Sequence, residues 1–378
     1  MLENLPKKID LTIIGAGTAG AATAIALCNQ GNQNVLIIEK SCQDSFRVGE
    51  TIPPPTVIVL GQLGVSDILQ QDDHLPSLGN CSAWGSSELQ FQDFLFYPGG
   101  HGWHLDRMRF DASLVRVARE RGAILLRGNK VIACHSLPDG RWKLTLKPQE
   151  SPPFSLETSF VVDASGHRSL FAHLGKTKKV QMDSLCGVAS VFTWQNNAPK
   201  DYYTLIEATE LGWWYATRLP RERAIITFLS DSELLRQYQF HRLENWTAYL
   251  KKTQYIRELT HNALSQSQLL IKPAFSQYLE RMTGQAWLAV GDAAYSMDPL
   301  SSSGIYKALL SGVTAAEAIF RYFNGDQGAL VTYERQQQQQ LTLYQQDRRK
   351  YYRQETRWTD SPFWYYRREE TIRTGDSA

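Results

Sequence analysis

The densest group of residues able to do chemistry lies near the N-terminus. Gly15-Ala16-Gly17-Thr18-Ala19-Gly20 follows a short β-branched run at 9–14 and precedes an Ala-rich stretch at 21–27. Strand, glycine turn and helix in that order form a dinucleotide fingerprint. Gly15 allows the tight turn, Gly17 the close approach of a pyrophosphate, and Gly20 the packing of helix on strand. The helix start points its N–H groups and positive dipole end at the phosphates. A second apolar run at 35–38 ends at Glu39, nineteen residues beyond Gly20. A carboxylate there accepts from both ribose hydroxyls and disfavours a 2′-phosphate, so the expected ligand is FAD or NAD rather than NADP. Ala16, Thr18 and Ala19, between the glycines, and Lys40, after the acid, count with them as cofactor-binding candidates.

A second group begins at the buried run Trp287-Leu288-Ala289-Val290, which leads into Gly291-Asp292-Ala293-Ala294 and then Asp298-Pro299-Leu300-Ser301-Ser302-Ser303-Gly304. An acid at a strand end, here Asp292, suits the ribityl hydroxyls of a flavin. The helix opening at Ser303-Gly304-Ile305 can stabilise negative charge on the N1–C2=O edge of a reduced flavin.

These groups need elements to hold them. The sequence predicts helices at 107–121, 233–268 and 305–322, and strands at 123–134, 141–147, 160–163 and 287–290. Three further strand-like runs, 186–194, 203–217 and 223–230, are joined by short polar turns, which favours an antiparallel sheet. Residues 41–100 read as loop-rich, with Pro53-Pro54-Pro55 and Gly99-Gly100. The expected fold class is therefore α/β plus an antiparallel sheet. A discontinuous Rossmann-like cofactor domain takes 1–180 and 270–330 and carries substrate-side loops at 41–105. The sheet domain takes 181–269, and a helical C-terminal region takes 331–378.

Composition narrows the class. The chain has 378 residues, and 40 Lys+Arg against 38 Asp+Glu leave a net charge of +2, which gives no reason to expect nucleic-acid binding. Five scattered cysteines without a Cys-x-x-Cys pair read as reduced thiols, and no His/Cys/Asp cluster has metal-ligand spacing. With no signal-peptide pattern and no long apolar run, a cytoplasmic protein is expected. Aromatic residues reach 11% and gather at 213–215 and 351–366. They form core, a wall for a flat substrate, or a docking face for a partner.

Taken together, Gly15–Gly20 with Glu39, Arg47-Val48-Gly49-Glu50-Thr51, Asp106-Arg107-Met108-Arg109-Phe110-Asp111, Asp163-Ala164-Ser165-Gly166-His167-Arg168 and the 291–304 segment resemble a known family. It is that of the FAD-dependent monooxygenases of the para-hydroxybenzoate hydroxylase fold, a group that includes the flavin-dependent halogenases. The resemblance implies FAD as cofactor. Arg47, Gly49 and Arg107 would lie along it, Val131 would offer backbone contact to the adenine, Asp292 would bind the ribityl chain, and Pro299 would sit near the isoalloxazine. Halogenases also carry a Trp-x-Trp-x-Ile-Pro motif and an active-site lysine. Here the first reads Trp213-Trp214-Tyr215-Ala216-Thr217-Arg218-Leu219-Pro220, and no lysine lies between Lys40 and Lys130. The 298–304 segment and Ser361-Pro362-Phe363-Trp364-Tyr365-Tyr366 are instead similar to the LodB/GoxB-type flavoproteins.

That resemblance implies hydroxylation of a tryptophan side chain in a precursor protein, during biogenesis of cysteine tryptophylquinone in a partner amino-acid oxidase. The alternatives are a monooxygenase or halogenase acting on a small or carrier-bound aromatic, a lipid reductase, and a non-catalytic flavin-binding assembly factor. Catalytic candidates are Glu50, Trp213, Tyr215 and Asp298, with Trp213, Trp214 and Tyr215 as the substrate-facing wall. The competing readings make Glu50 a loop holder, Asp298 a helix cap and the tryptophans core.

Overall fold

The computed structural model describes residues 9–31, 34–44, 48–195, 203–265 and 268–368. Arg47, one of the expected flavin neighbours, lies outside them. The first apolar run forms the strand Ile9–Ile14, which pairs in parallel with Val35–Glu39 on one side and Phe154–Asp163 on the other. Ile124–Arg127 extends this sheet in parallel beyond Val35–Glu39, and Trp287–Ala289 extends it beyond Phe154–Asp163. Parallel strands buried on both faces read as unbroken aliphatic runs, as Val35-Leu36-Ile37-Ile38 does. Their C-terminal ends converge, so Gly15, Glu39, Asp163 and Gly291 all emerge at one edge. That edge is where open α/β sheets bind their ligands.

Two helices cover the sheet beside this edge. Thr18–Asn29 packs on Gly304–Phe323 through small residues. A Cβ on Gly312 would lie 2.8 Å from the Ala22 Cβ, so glycine there sets the distance between the helices.

The antiparallel expectation holds in a second sheet from Leu264–Ser265 through Leu185–Thr193, Arg223–Asp231 and Gly212–Leu219 to Tyr203–Thr209, beyond which Gly79–Ala83 joins in parallel and Gln90–Asp93 pairs antiparallel with it. Three local readings are corrected. The single run at 203–217 is a hairpin, Tyr203–Thr209 and Gly212–Leu219, turned at Glu210-Leu211. The helical stretch at 233–268 is three short helices, Ser232–Gln237, Leu243–Leu250 and Tyr255–Leu259, followed by the edge strand Leu264–Ser265.

The third correction concerns the loop-rich 41–100, which holds the helix Pro55–Leu63 and the strands Gly79–Ala83 and Gln90–Asp93. The prolines that read as breakers start that helix, because a proline at its first position has the right φ and needs no N–H partner. Gly64 closes it in the left-handed conformation, at φ 66°.

The C-terminal region forms the helices Ala329–Gln354 and Pro362–Arg368. They return to the body, where Tyr352, Phe363 and Trp364 are fully buried.

Candidate functional site

The glycine turn is built as the fingerprint requires. Gly15 takes φ +113°, and a Cβ on it would lie 2.3 Å from the Ala164 carbonyl oxygen. A Cβ on Gly20 would lie 2.0 Å from the Gly15 carbonyl oxygen, so neither position tolerates a side chain. Gly17, just before the helix, supplies no side-chain cap and leaves that end open to an anion. The Glu39 carboxylate accepts the Ala16 and Ser41 N–H groups, both at 3.0 Å, which holds it against the turn. Lys40 is exposed beside it, and Val131 is buried in the strand Asn129–Ser136.

Arg107, at the start of the helix Arg107–Glu120, links this turn to the segment before Glu50. Its guanidinium donates to the Gly49 carbonyl at 2.8 Å, to Thr18 Oγ1 at 3.3 Å and to Asp111 at 3.2 Å. Its Nε is buried without a partner. At the other side of the edge, Lys307 Nζ donates to Asp292 Oδ1 at 2.7 Å, and His167 Nε2 stands 3.9 Å from Asp292 Oδ2. Burial pulls the Asp292 carboxyl upward, but Lys307, His167 and Arg107 outweigh it and hold the group below its usual range. The His167 Nδ1 atom is also buried and unpartnered. Pro299 and Gly304 are exposed at the turn and helix start that follow, Ser303 is half-buried, and Ile305 points inward.

The catalytic candidates fall into two settings. Glu50 is 2% exposed, with Oε1 unpartnered. Burial pushes its carboxyl up to about 7, against the opposing pull of Arg107. Next to it, Thr51 Oγ1 is the centre of a hydroxyl cluster. It meets Tyr215 Oη at 2.8 Å, Thr204 Oγ1 at 3.1 Å and His104 Nδ1 at 3.2 Å, and Thr217 Oγ1 meets the same His104 nitrogen at 2.6 Å. Burial, with Glu50 nearby, keeps the Tyr215 phenol protonated at any ordinary pH.

Asp298 and Trp213 sit elsewhere. The Asp298 carboxylate caps the short turn Pro299–Ser301 through the Leu300 N–H at 3.0 Å and accepts the Tyr352 hydroxyl at 2.7 Å. Trp213 donates its indole N–H to that same hydroxyl at 3.1 Å. It packs edge-on to Trp84, which also packs edge-on to Tyr352 and Trp364. Trp214 faces the opposite side of the strand, against Phe228 and Trp246. Both tryptophans are fully buried, so the structure uses them as core, and of the expected substrate wall only Tyr215 joins the Thr51 cluster.

Sequence reasoning gave no role to Lys307, took Thr51 and Tyr352 only as members of the 47–51 motif and of the aromatic tail, and favoured a structural role for His104. Lys307 left a trace: a lone cation inside the apolar run Gly304-Ile305-Tyr306-Lys307-Ala308-Leu309-Leu310. The meeting of Thr51 with His104 was not legible, because it depends on strand register.

A fingerprint edge completed by an acid from a returning strand, under an antiparallel sheet, defines a class of FAD-dependent halogenase and monooxygenase folds. The chain belongs to the tryptophan halogenase family, whose sequence profile matches residues 10–79 and 94–377. It is 29% identical to LodB of Marinomonas mediterranea, an FAD-dependent oxidoreductase by name, over 95% of this chain and 96% of that one. A carrier-protein-dependent relative, the 1H-pyrrole-2-carbonyl-[peptidyl-carrier protein] brominase of Pseudoalteromonas luteoviolacea, is 23% identical over 85% of this chain and 79% of its own.

Among solved structures, the myxobacterial chondrochloren halogenase CndH superposes with a TM-score of 0.88, at 23% identity, covering 98% of this chain and 87% of that one. The peptidyl tryptophan dihydroxylase QhpG, described as essential for tryptophylquinone cofactor biogenesis, gives 0.75 at 22% identity, covering 95% and 78%. The protein is thus an FAD-dependent, halogenase-like flavoprotein of oxidoreductase type. The residues fit that cofactor. The glycine turn admits no Cβ, the adjoining helix end lacks a side-chain cap, and buried nitrogens of Arg107 and His167 lack partners beside it.

Proposed function

We propose that this flavoprotein hydroxylates a tryptophan side chain in a precursor protein, in the formation of cysteine tryptophylquinone in a partner amino-acid oxidase. The observation that carries this reading is the segment between the two matched stretches of the family profile. Residues 80–93 contain no lysine and form most of the hairpin Gly79–Ala83 and Gln90–Asp93, at one end of the antiparallel sheet. A halogenase would be expected to carry its lysine there. Lys307, which does lie beside the cradle, is 6% exposed and has its ammonium engaged by Asp292 and the Tyr295 carbonyl. Likeness to LodB over nearly the whole of both chains, and to a structure that acts on peptidyl tryptophan, supports the same reading.

In this reading Gly15, Ala16, Gly17, Thr18, Ala19, Gly20 and Glu39 hold the dinucleotide part of FAD. Lys40, Arg47, Gly49, Arg107 and Val131 flank it, Asp292 holds the ribityl chain, and Pro299, Ser303, Gly304 and Ile305 border the ring. Reduced FAD, when bound, would supply the two electrons that activate O2, one oxygen atom of which goes to the ring and the other to water. The chain's own residues bind, orient and shield. Glu50, with its carboxyl near neutrality, is able to hold or release a proton at Oε1, and Tyr215 stays protonated, its hydroxyl hydrogen-bonded to that of Thr51.

A second reading, halogenation of a small or carrier-bound aromatic, is supported equally by the family and by relatives such as the carrier-protein brominase. Co-expression of a quinone-enzyme precursor with and without this flavoprotein tests the first reading. One oxygen or more gained on the precursor's tryptophan, dependent on the flavoprotein, is expected. An unmodified precursor alongside a flavin that reduces and reoxidises normally overturns it.

A further inference from the structure

Lys307 occupies a position where a charge needs a reason. It lies one turn inside the helix Gly304–Phe323 and is 6% exposed. Burying an ammonium is costly unless partners replace water. The partners here all come from the segment that carries Asp292. Nζ donates to Asp292 Oδ1 at 2.7 Å and to the Tyr295 carbonyl, and it stands 4.5 Å from the centre of the Tyr295 ring.

The two ends of the resulting pair are unequal. Lys307 is enclosed, whereas the Asp292 side chain is 39% exposed. Its Oδ2 faces His167 Nε2 at 3.9 Å, beyond hydrogen-bond reach, so this oxygen keeps its accepting capacity toward the cradle. We propose that Lys307 is a positioning residue for the flavin: gripping one oxygen of Asp292, it aims the other oxygen at the ribityl hydroxyls. Lys307 touches no cofactor atom in this arrangement and acts through Asp292, as an outer partner orients a ligating side chain. The inference rests on Asp292 being the ribityl acceptor, so its test must separate the two claims.

The groups facing Asp292 are Lys307 from the long helix, His167 from the turn Gly166–Arg168, Arg107 from the helix Arg107–Glu120, and Tyr295 from its own segment. Lys307 is the largest of the influences that lower the carboxyl's titration range. Without it, burial is opposed only by His167 and Arg107, and the carboxyl titrates higher. His167 is itself held below its usual range by burial, so its charge returns only in acid.

The experiment measures FAD affinity of the flavin-stripped full chain by fluorescence quenching, from pH 5 to 8, for wild type, Lys307→Met, Asp292→Asn and the double variant. Lys307→Met is expected to weaken FAD binding by about 10- to 100-fold, the loss of one charge-assisted contact to a half-buried acid. Its affinity relative to wild type should fall further toward pH 5. In the Asp292→Asn background, Lys307→Met should cost less than about threefold more, because the path through the carboxylate is already gone.

Two results overturn the proposal: unchanged affinity and pH profile in Lys307→Met, or additive losses in the double variant. Asp292→Asn that binds FAD as wild type overturns instead the assignment of Asp292. If Lys307→Met fails to fold by circular dichroism, Lys307→Arg, which keeps the charge, should stay within about threefold of wild type. A larger loss in Lys307→Arg than in Asp292→Asn contradicts the proposal.

Discussion

The Tyr352 hydroxyl donates to Asp298 Oδ2 at 2.7 Å, so a residue from the C-terminal helix fixes the loop that leads from Asp292 to the long helix Gly304–Phe323. The same hydroxyl accepts the Trp213 indole N–H at 3.1 Å, and the Tyr344 hydroxyl accepts the Asp298 N–H at 2.7 Å. Arg348 bridges Asp298 and Asp183. The tail therefore acts as a clamp on the flavin-side loop, which gives the aromatic C-terminus a structural use.

Tyr352→Phe should destabilise the protein by about 1–3 kcal/mol, because it leaves the Trp213 N–H and one lone pair of Asp298 unpaired in a dry interior. For a chain of this size that corresponds to a melting temperature lower by several degrees, measured by thermal unfolding. An unchanged melting temperature would argue that the tail is not coupled to this loop.

Arg367 donates two bonds to Asp231, at 2.8 and 2.9 Å, with both side chains buried. Replacing it by leucine strands a buried carboxylate and should cost about 3–5 kcal/mol. Replacing both partners by apolar residues should recover much of that loss. A double-mutant cycle in denaturant measures the difference.

Glu50 makes stability depend on pH. Its folded carboxyl titrates at about 7, above an unfolded value near 4.5, so the favourable contribution is complete below about pH 4.5 and is lost as pH rises through 7. Over that window Glu50 should remove up to about 3 kcal/mol from the flavin-free chain. Glu50→Gln should flatten the slope and make the chain more stable than wild type at pH 8. Equal slopes in the two proteins would exclude a buried, raised carboxyl.

Gly20→Ala should give a colourless protein. The added methyl would sit 2.0 Å from the Gly15 carbonyl oxygen, and neither backbone can retreat without opening the turn. Absorbance in the flavin region after purification checks this, with Ala22→Gly, farther along the same helix, as a variant expected to stay yellow.

The sequence made the nucleotide edge legible because its demands are local: a positive φ at Gly15, close approach at Gly20 and an acid ending Val35–Glu39 each leave a one-residue mark. The short turns between the strand-like runs likewise announced the antiparallel pairing of Arg223–Asp231 with Leu185–Thr193 and Gly212–Leu219. The Thr51 cluster left no such mark. Thr51, His104, Thr204, Tyr215 and Thr217 come from four strands and meet only through register. Trp213 and Trp214 misled for a related reason. A strand offers two faces, and only tertiary context shows that the tail covers one and the helix Leu243–Leu250 the other.

The most direct measurement offers the reduced flavoprotein O2, a tryptophan-containing precursor and excess bromide together, and reads the precursor by mass spectrometry. Oxygen added at tryptophan with no bromine incorporated is the expected result. Bromine on the ring would contradict hydroxylation and restore the halogenase reading.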